Sequence, residues 1–260
     1  MATDFSFDGA SARRVEQVYI TPDIVKQRRA TRLLLRLNPG EKILDIGCGP
    51  GFLLIEMADE VGPTGKLHGV DVSADMIALA RNRCAGKVTI DLQVADALDL
   101  PFADETFDLV VTTQVYEYIA DIPSALREAK RVLRPGGRFL ILATDWESSV
   151  WNNSDEARMA RVLEAWREHG ADSRLPRSLP KRLSDAGLKL DRIDVIPIIN
   201  TEYDQNTYSH SMIAVMAKFG VGRQNFTAEE LQAWADDLKG FGERGEYFFS
   251  VNRYAFLATK

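Results

Sequence analysis

The decisive stretch is Ile43-Leu44-Asp45-Ile46-Gly47-Cys48-Gly49-Pro50-Gly51. Its first four residues make an apolar run of strand length broken by a single acid. The three glycines that follow let the chain reverse sharply while a ligand approaches bare backbone. From Phe52 to Val61 the apolar residues fall at 52, 53, 54, 57, 58 and 61, one face of a helix. Strand, glycine turn and helix start together offer unpaired N–H groups and a positive dipole end. A dinucleotide fingerprint, Gly-x-Gly-x-x-Gly, needs a glycine at position 52, where this chain has Phe52. Asp45, two residues before the first glycine, would also sit badly beside a pyrophosphate. An acid there suits a cationic ligand group.

The alternation of short apolar runs with helical patterns continues over residues 43–145, which predicts a parallel α/β sheet. Leu67 to Val72 reads as a second strand, and Ser73 caps a helix running to about Arg83. Val88 to Val94 and Phe107 to Thr112 read as the third and fourth strands. Asp121 caps the next helix, with Pro123 in its first turn, and Arg134-Pro135-Gly136-Gly137 leads into a fifth strand over Arg138 to Thr144. Beyond that point, Ser154 to His169 and Ser178 to Ala186 read as helices stopped by Gly170 and Gly187. Leu188 to Ile199 is strand-like. Residues 206–242 predict two helices, the second opened by the capping box Thr227-x-x-Glu230, and Tyr247 to Ala258 is the last strand. Near the amino terminus, Thr21 and Pro22 mark a helix start.

The 260 residues are 45% hydrophobic and 27% charged, ordinary globular composition, and Lys+Arg 32 against Asp+Glu 38 leaves a net charge of -6. A mildly acidic surface disfavours a nucleic-acid partner. The segment Met1-Ala-Thr-Asp-Phe-Ser6 lacks the basic and apolar regions of a secretory leader, and runs such as Phe139 to Ala143 are too short to span a bilayer. Two cysteines, Cys48 and Cys84, make neither a disulfide framework nor a Cys-rich metal site. A cytoplasmic protein without a metal, without nucleic acid and without membrane insertion is expected.

From Asp45 to Gly51 the chain resembles the class I S-adenosylmethionine-dependent methyltransferases, whose first motif is Asp/Glu-x-Gly-x-Gly-x-Gly, and matches it at every fixed position. Further motifs follow in order: Asp71 at the end of the second strand, Asp96 in Val94-Ala-Asp-Ala-Leu98, Phe107-Asp-Leu-Val-Val111 and its loop, and Arg134-Pro-Gly-Gly137. The resemblance is close over residues 38–145. It implies a Rossmann-like seven-stranded mixed sheet in the order 3-2-1-4-5-7-6, helices on both faces, and a helical insertion between strands 6 and 7. It also implies S-adenosyl-L-methionine as cofactor, with S-adenosyl-L-homocysteine as product.

On this reading Asp45 lies near the cofactor ammonium and Gly47, Cys48 and Gly49 pack against its amino-acid end. Asp71 binds the ribose hydroxyls, Val72 and Met76 flank the adenine, and Asp96 with the Ala97 N–H takes the adenine edge. Gln114 belongs to the cofactor-contacting loop, and Tyr19 closes the pocket from the amino-terminal side, where Gln27 or Arg28 reaches the carboxylate. The whole of 1–260 is expected to be one domain, with an N-terminal helical cap over 1–38, a cofactor-binding core over 39–145 and an acceptor-side region over 146–260. That last region carries a helical lid at about 201–246.

The acceptor is narrowed by absence. The loop Thr113-Gln-Val-Tyr-Glu-Tyr118 lacks the Asp/Asn-Pro-Pro-Tyr/Phe of amino-methylating nucleic-acid enzymes, no cysteine follows a proline, and two cysteines are too few for arsenite. A small molecule remains, acted on by a monomer or homodimer. N- or O-methylation is placed slightly ahead of C-methylation, with the quinone-type C-methyltransferases as the alternative and a non-catalytic cofactor-binding protein as the rival. Tyr116, Trp146, Trp151, Asn200, Tyr203 and Tyr208 are the candidate acceptor-binding residues, since aromatic faces enclose a flat ring or hold a cationic amine. Tyr118 and His210 are the candidate catalytic groups.

Overall fold

A computed structural model describes residues 16–260. The part of the expected N-terminal cap before residue 16, and the amino-terminal segment read for a leader, lie outside the described residues. β1 (Lys42–Ile46), β2 (Lys66–Asp71), β3 (Ile90–Val94), β4 (Phe107–Thr113) and β5 (Leu133–Thr144) are mutually parallel. β8 (Phe249–Thr259) runs antiparallel to β5, and β7 (Lys189–Asn200) antiparallel to β8. The seven long strands therefore stand in the expected order, with the last one reversed. A two-residue strand, β6 (Val150–Trp151), had no sequence signal. It pairs Trp151 with Phe249 at the start of β8.

Between the strands lie α1 (Pro22–Leu35), α2 (Phe52–Val61), α3 (Ala74–Arg83), α4 (Ile122–Val132), α5 (Glu156–Trp166) and α6 (Leu179–Asp185), with α7 (Tyr208–Gly220) and α8 (Ala228–Glu243) inserted between β7 and β8. The expected caps form. Ser73 accepts from the Met76 N–H, Asp121 from the Ser124 N–H, and Thr227 and Glu230 bond reciprocally. Some boundaries move. Asp155, not Ser154, caps α5, because the Ser154 hydroxyl is taken by Asp237. The third strand begins at Ile90 rather than Val88. β5 begins at Leu133, since Leu133 already pairs with Phe107 across a register shift that absorbs the Arg-Pro-Gly-Gly stretch.

Side chains alternate along a strand, so each strand feeds two layers. Leu44 and Ile46 join Ile122, Leu126, Leu179 and Leu183 of α4 and α6 on one face. Ile43 joins Leu35, Leu54, Met57 and Ile77 of α1, α2 and α3 on the other. Asp45 has the parity of Ile43, which carries a carboxyl group into the second layer. A third core, with Trp151, Trp166, Met212, Met216, Trp234 and Phe249, fills the space among α5, α7, α8 and the start of β8. Among the described residues no helix is long and apolar enough to cross a membrane.

Candidate functional site

The glycine turn after β1 is built by the end of β2. Gly47, Gly49 and Gly51 all have positive φ, and the Gly47 and Cys48 N–H groups donate to the Val70 carbonyl at 2.7 and 2.9 Å. A Cβ on Gly47 would lie 2.2 Å from a Val115 methyl, so this position excludes every larger residue on both conformational and steric grounds. Asp71 ties the turn down from the other side: one carboxyl oxygen accepts from the Gly49 N–H and the other from the Ser73 N–H, each at 2.9 Å. Burial pushes its carboxyl up, and those two N–H groups partly hold it down.

Above the turn opens a cavity of about 430 Å³, within the size range of cofactor pockets. Tyr19, Gly47, Gly49, Asp71, Val72, Met76, Asp96, Ala97, Gln114 and Tyr118 all line it. Val72 is 74% exposed while Met76 is buried, so the two form the open and closed sides of one slot. Asp96 holds the Leu98 N–H at 2.9 Å, an Asx turn that orients the Ala97 segment. Gln114 adopts φ 61, unusual for a residue with a side chain. It is held by the Thr144 hydroxyl on its Oε1 at 2.6 Å and by its own N–H to Leu142 at 2.8 Å.

A smaller cavity of about 40 Å³ adjoins the first, sharing Tyr19, Gly47, Thr113 and Gln114, and adds Gln27, Arg28, Asp45, Cys48, Phe52 and Arg253. Asp45 is 1% exposed and its Oδ1 has no hydrogen-bond partner. Burial, then the charge of Asp71, raise its carboxyl well above the ordinary range. Arg253 is 5% exposed. Its Nη1 donates to Gln27, its guanidinium lies 4.9 Å from the Tyr208 ring centre, and its Nε has no partner. Arg28, by contrast, is fully used: Nε binds Glu56 at 2.9 Å and Nη1 the Tyr19 carbonyl at 2.8 Å. Phe52, which broke the dinucleotide fingerprint, faces Tyr19 at 6.0 Å and lies under the Arg83 guanidinium at 3.4 Å, fastening the amino-terminal segment to the glycine turn. Burial pushes the Cys48 thiol up, which suits a space-filler and not a thiolate nucleophile.

Every residue expected at the cofactor thus lines one of the two joined cavities, and so does Tyr118. None of the expected acceptor residues lines either cavity. Tyr116 is fully buried with its hydroxyl on the Ala125 carbonyl at 3.1 Å, pinning the turn to α4. Trp146 stands edge-on to Trp166 and His169, and Trp151 packs on Phe249 at 4.3 Å with its N–H on Tyr247. Asn200 donates to Asp23, which also accepts from the Tyr208 N–H, so it braces β7 and α7 against α1. Tyr203 and His210 contact each other at 5.0 Å, away from the cavities. The Tyr208 ring lies 4.9 Å from the Arg253 guanidinium and lines neither cavity. The stretch expected as a lid, 201–246, contributes no lining residue. Its buried apolar residues belong to the third core. Arg253 was missed because a single basic residue in an aromatic strand carries no motif. Among the described residues no group of three or more His, Cys, Asp or Glu side chains is arranged to hold a metal ion.

Residues 37–186 match the family model of a methyltransferase domain. A Streptomyces fradiae protein, described as an uncharacterized 37.1 kDa protein in transposon TN4556, is 31% identical over 245 residues, covering 92% of this chain and 68% of that one. Demethylmenaquinone methyltransferase of Symbiobacterium thermophilum is 47% identical over 108 residues, 40% of this chain and 43% of that one, so the match spans less than half of either. Among solved structures, phosphoethanolamine N-methyltransferase 2 of Haemonchus contortus, in complex with S-adenosyl-L-methionine, superposes with a TM-score of 0.64 at 18% identity. That superposition covers 99% of this chain and 58% of that one, a likeness of fold.

Proposed function

This chain belongs to the methyltransferase-domain family, and on that premise we propose that it transfers a methyl group from S-adenosylmethionine to a small hydroxylated aromatic acceptor. The reading is carried by one observation. The residues expected to hold the cofactor converge on two joined cavities, and the atoms left without partners in the smaller one, Asp45 Oδ1 and Arg253 Nε, have opposite charges. A zwitterionic amino-acid tail complements such a pair, its ammonium at Asp45 and its carboxylate at Arg253 and Gln27. A buried charge without a partner is costly, and a ligand that completes both removes the penalty.

The bound cofactor supplies a methyl group made electrophilic by a sulfonium. The chain's own work is placement and the exclusion of water. Asp71 accepts from the ribose hydroxyls with lone pairs left over from its two backbone contacts. Val72 and Met76 clasp the adenine, and Asp96 and Ala97 take its polar edge. Tyr19, held through Phe52 and Arg28, roofs the site from the amino-terminal side. Gln114 and Tyr118 form the wall on which the acceptor enters.

The acceptor class draws on the relative named for demethylmenaquinone, and on the largely apolar wall at Val115, Tyr118 and Ile119. A quinol-type ring offers a nucleophilic carbon as well as a nucleophilic oxygen. It therefore gains over the amine acceptors, which the sequence places, with oxygen acceptors, slightly ahead of carbon. Titration calorimetry with S-adenosylhomocysteine against a reduced nicotinamide, followed by transfer of labelled methyl into a mixture of hydroquinones, catechols and amines, tests both parts. Homocysteine-product binding and label in a hydroxylated ring are expected. Absence of binding sinks the cofactor reading, and label confined to amines sinks the acceptor class.

A further inference from the structure

The two joined cavities meet at a neck, where Tyr19, Gly47, Thr113 and Gln114 line both. Gly47 follows β1 and Gln114 follows β4, its parallel neighbour in the sheet. Val115, the next residue, lines the larger cavity and leaves no room for a Cβ on Gly47, which would lie 2.2 Å from its methyl. The place of Val115 depends in turn on Gln114, whose φ of 61 is a left-handed conformation that a residue with a side chain adopts only when its surroundings offset the strain. The offset comes from β5. That strand sets Leu142 beside Thr113 and ends two residues later at Thr144. The Leu142 carbonyl accepts the Gln114 N–H at 2.8 Å and lies 3.5 Å from the amide nitrogen, and the Thr144 hydroxyl donates to the amide oxygen at 2.6 Å. Thr144 itself is fully buried and lines neither cavity.

A valine has the same shape as threonine and suits a buried strand as well, so packing alone does not call for the hydroxyl. Resting on the methyltransferase reading, we propose that Thr144 is a positioning residue: through Gln114 it sets the neck between the nucleoside cavity and the amino-acid cavity. On that reading the nucleoside lies in the larger cavity, the zwitterionic tail lies in the smaller one, and the sulfur-bearing chain threads the neck. Without the Thr144 hydroxyl the left-handed backbone at Gln114 loses a bond that offsets its strain. Gln114 then relaxes, Val115 shifts against Gly47, and the neck changes shape. A ligand confined to the larger cavity is indifferent to that change. One that spans both cavities is not. The pair therefore selects nucleoside thioethers and sulfonium compounds that carry an amino-acid tail.

Titration calorimetry on the full chain compares S-adenosylhomocysteine, which spans both cavities, with 5′-methylthioadenosine, which lacks the tail. Thr144→Val should weaken S-adenosylhomocysteine about tenfold, as one lost hydrogen bond does, and leave 5′-methylthioadenosine within about twofold. Thr144→Ser keeps the hydroxyl and should hold S-adenosylhomocysteine within about threefold of wild type. In Gln114→Gly the left-handed φ carries no strain and the amide is gone, so adding Thr144→Val should change nothing further. Thr144→Ala, taken through the same titrations, gives the answer if the valine variant does not fold. Equal weakening of both ligands marks a general loosening and overturns the proposal. Unchanged S-adenosylhomocysteine affinity overturns it too, as does the full loss recurring in the Gln114→Gly background, or wild-type protein that binds S-adenosylhomocysteine but not 5′-methylthioadenosine. Failure of wild-type protein to bind S-adenosylhomocysteine overturns the underlying reading instead.

Discussion

Asp45→Asn should strengthen the empty protein and weaken the loaded one. The carboxyl is 1% exposed with Oδ1 unpartnered, and burial followed by the Asp71 charge raise it well above the ordinary range. A group whose pKa is raised by folding favours the folded state in its protonated form. Its contribution is fully present below the unfolded value of about 3.9 and is lost as pH rises through the folded value. Ionised Asp45 is therefore a burden on the cofactor-free protein at neutral and alkaline pH. An unsatisfied buried polar group costs about 1–3 kcal/mol, and at this chain length about 1 kcal/mol moves Tm by about 2–4 °C. Relief of about 2 kcal/mol should raise the Tm of cofactor-free Asp45→Asn at pH 8 by about 4–8 °C. The gain should shrink towards zero as pH falls below the ordinary carboxylate range. The same change removes the charge proposed to face the ammonium, which is worth about 1.5–3 kcal/mol, or about 10- to 150-fold in Kd for S-adenosylhomocysteine. Scanning calorimetry across pH and titration calorimetry measure the two halves. A Tm that falls or does not move, with affinity retained, would refute the argument that Asp45 is held unpaired for a cationic ligand.

Other perturbations separate the site from the scaffold. Asp71→Ala should reduce S-adenosylhomocysteine affinity by about 1–3 kcal/mol, because it removes the proposed ribose contact and releases the Gly49 N–H; unchanged calorimetric affinity would refute the ribose assignment. Gly47→Ala sets a methyl group 2.2 Å from Val115 at φ +69 and should abolish cofactor binding with loss of more than about 2 kcal/mol of stability, checked by denaturant unfolding. Trp151→Ala should lower stability by about 3–5 kcal/mol while leaving cofactor affinity within about twofold, since its ring is core and its N–H serves Tyr247. A large loss of affinity at normal stability would return Trp151 to the site.

The cofactor half was legible because its parts lie close together in the chain. Asp45 and the three glycines lie within seven residues, Asp71 ends β2, Asp96 follows the end of β3 by two residues, and in a parallel sheet strand ends share one edge. Local rules sufficed for the caps at Ser73, Asp121 and Thr227 as well, since a cap is a contact between near neighbours. The residues expected at the acceptor lie away from the cavities for the converse reason. Trp151, Tyr203 and His210 follow strands that end at the right edge, but residue type cannot tell an aromatic that lines a pocket from one that fills the core beneath two inserted helices. Arg253 gave no signal. It lines a cavity with Asp45 only because β8 runs back beside β5.

From its order of residues alone, then, the chain determined a doubly wound sheet and a glycine turn suited to a cationic tail, both set by periodicity and by backbone freedom over short separations. Only the tertiary structure decided which polar atoms are taken out of water without partners, Asp45 Oδ1 and Arg253 Nε among them. Desolvation is a property of everything packed around a group, and that is written in no single stretch of sequence.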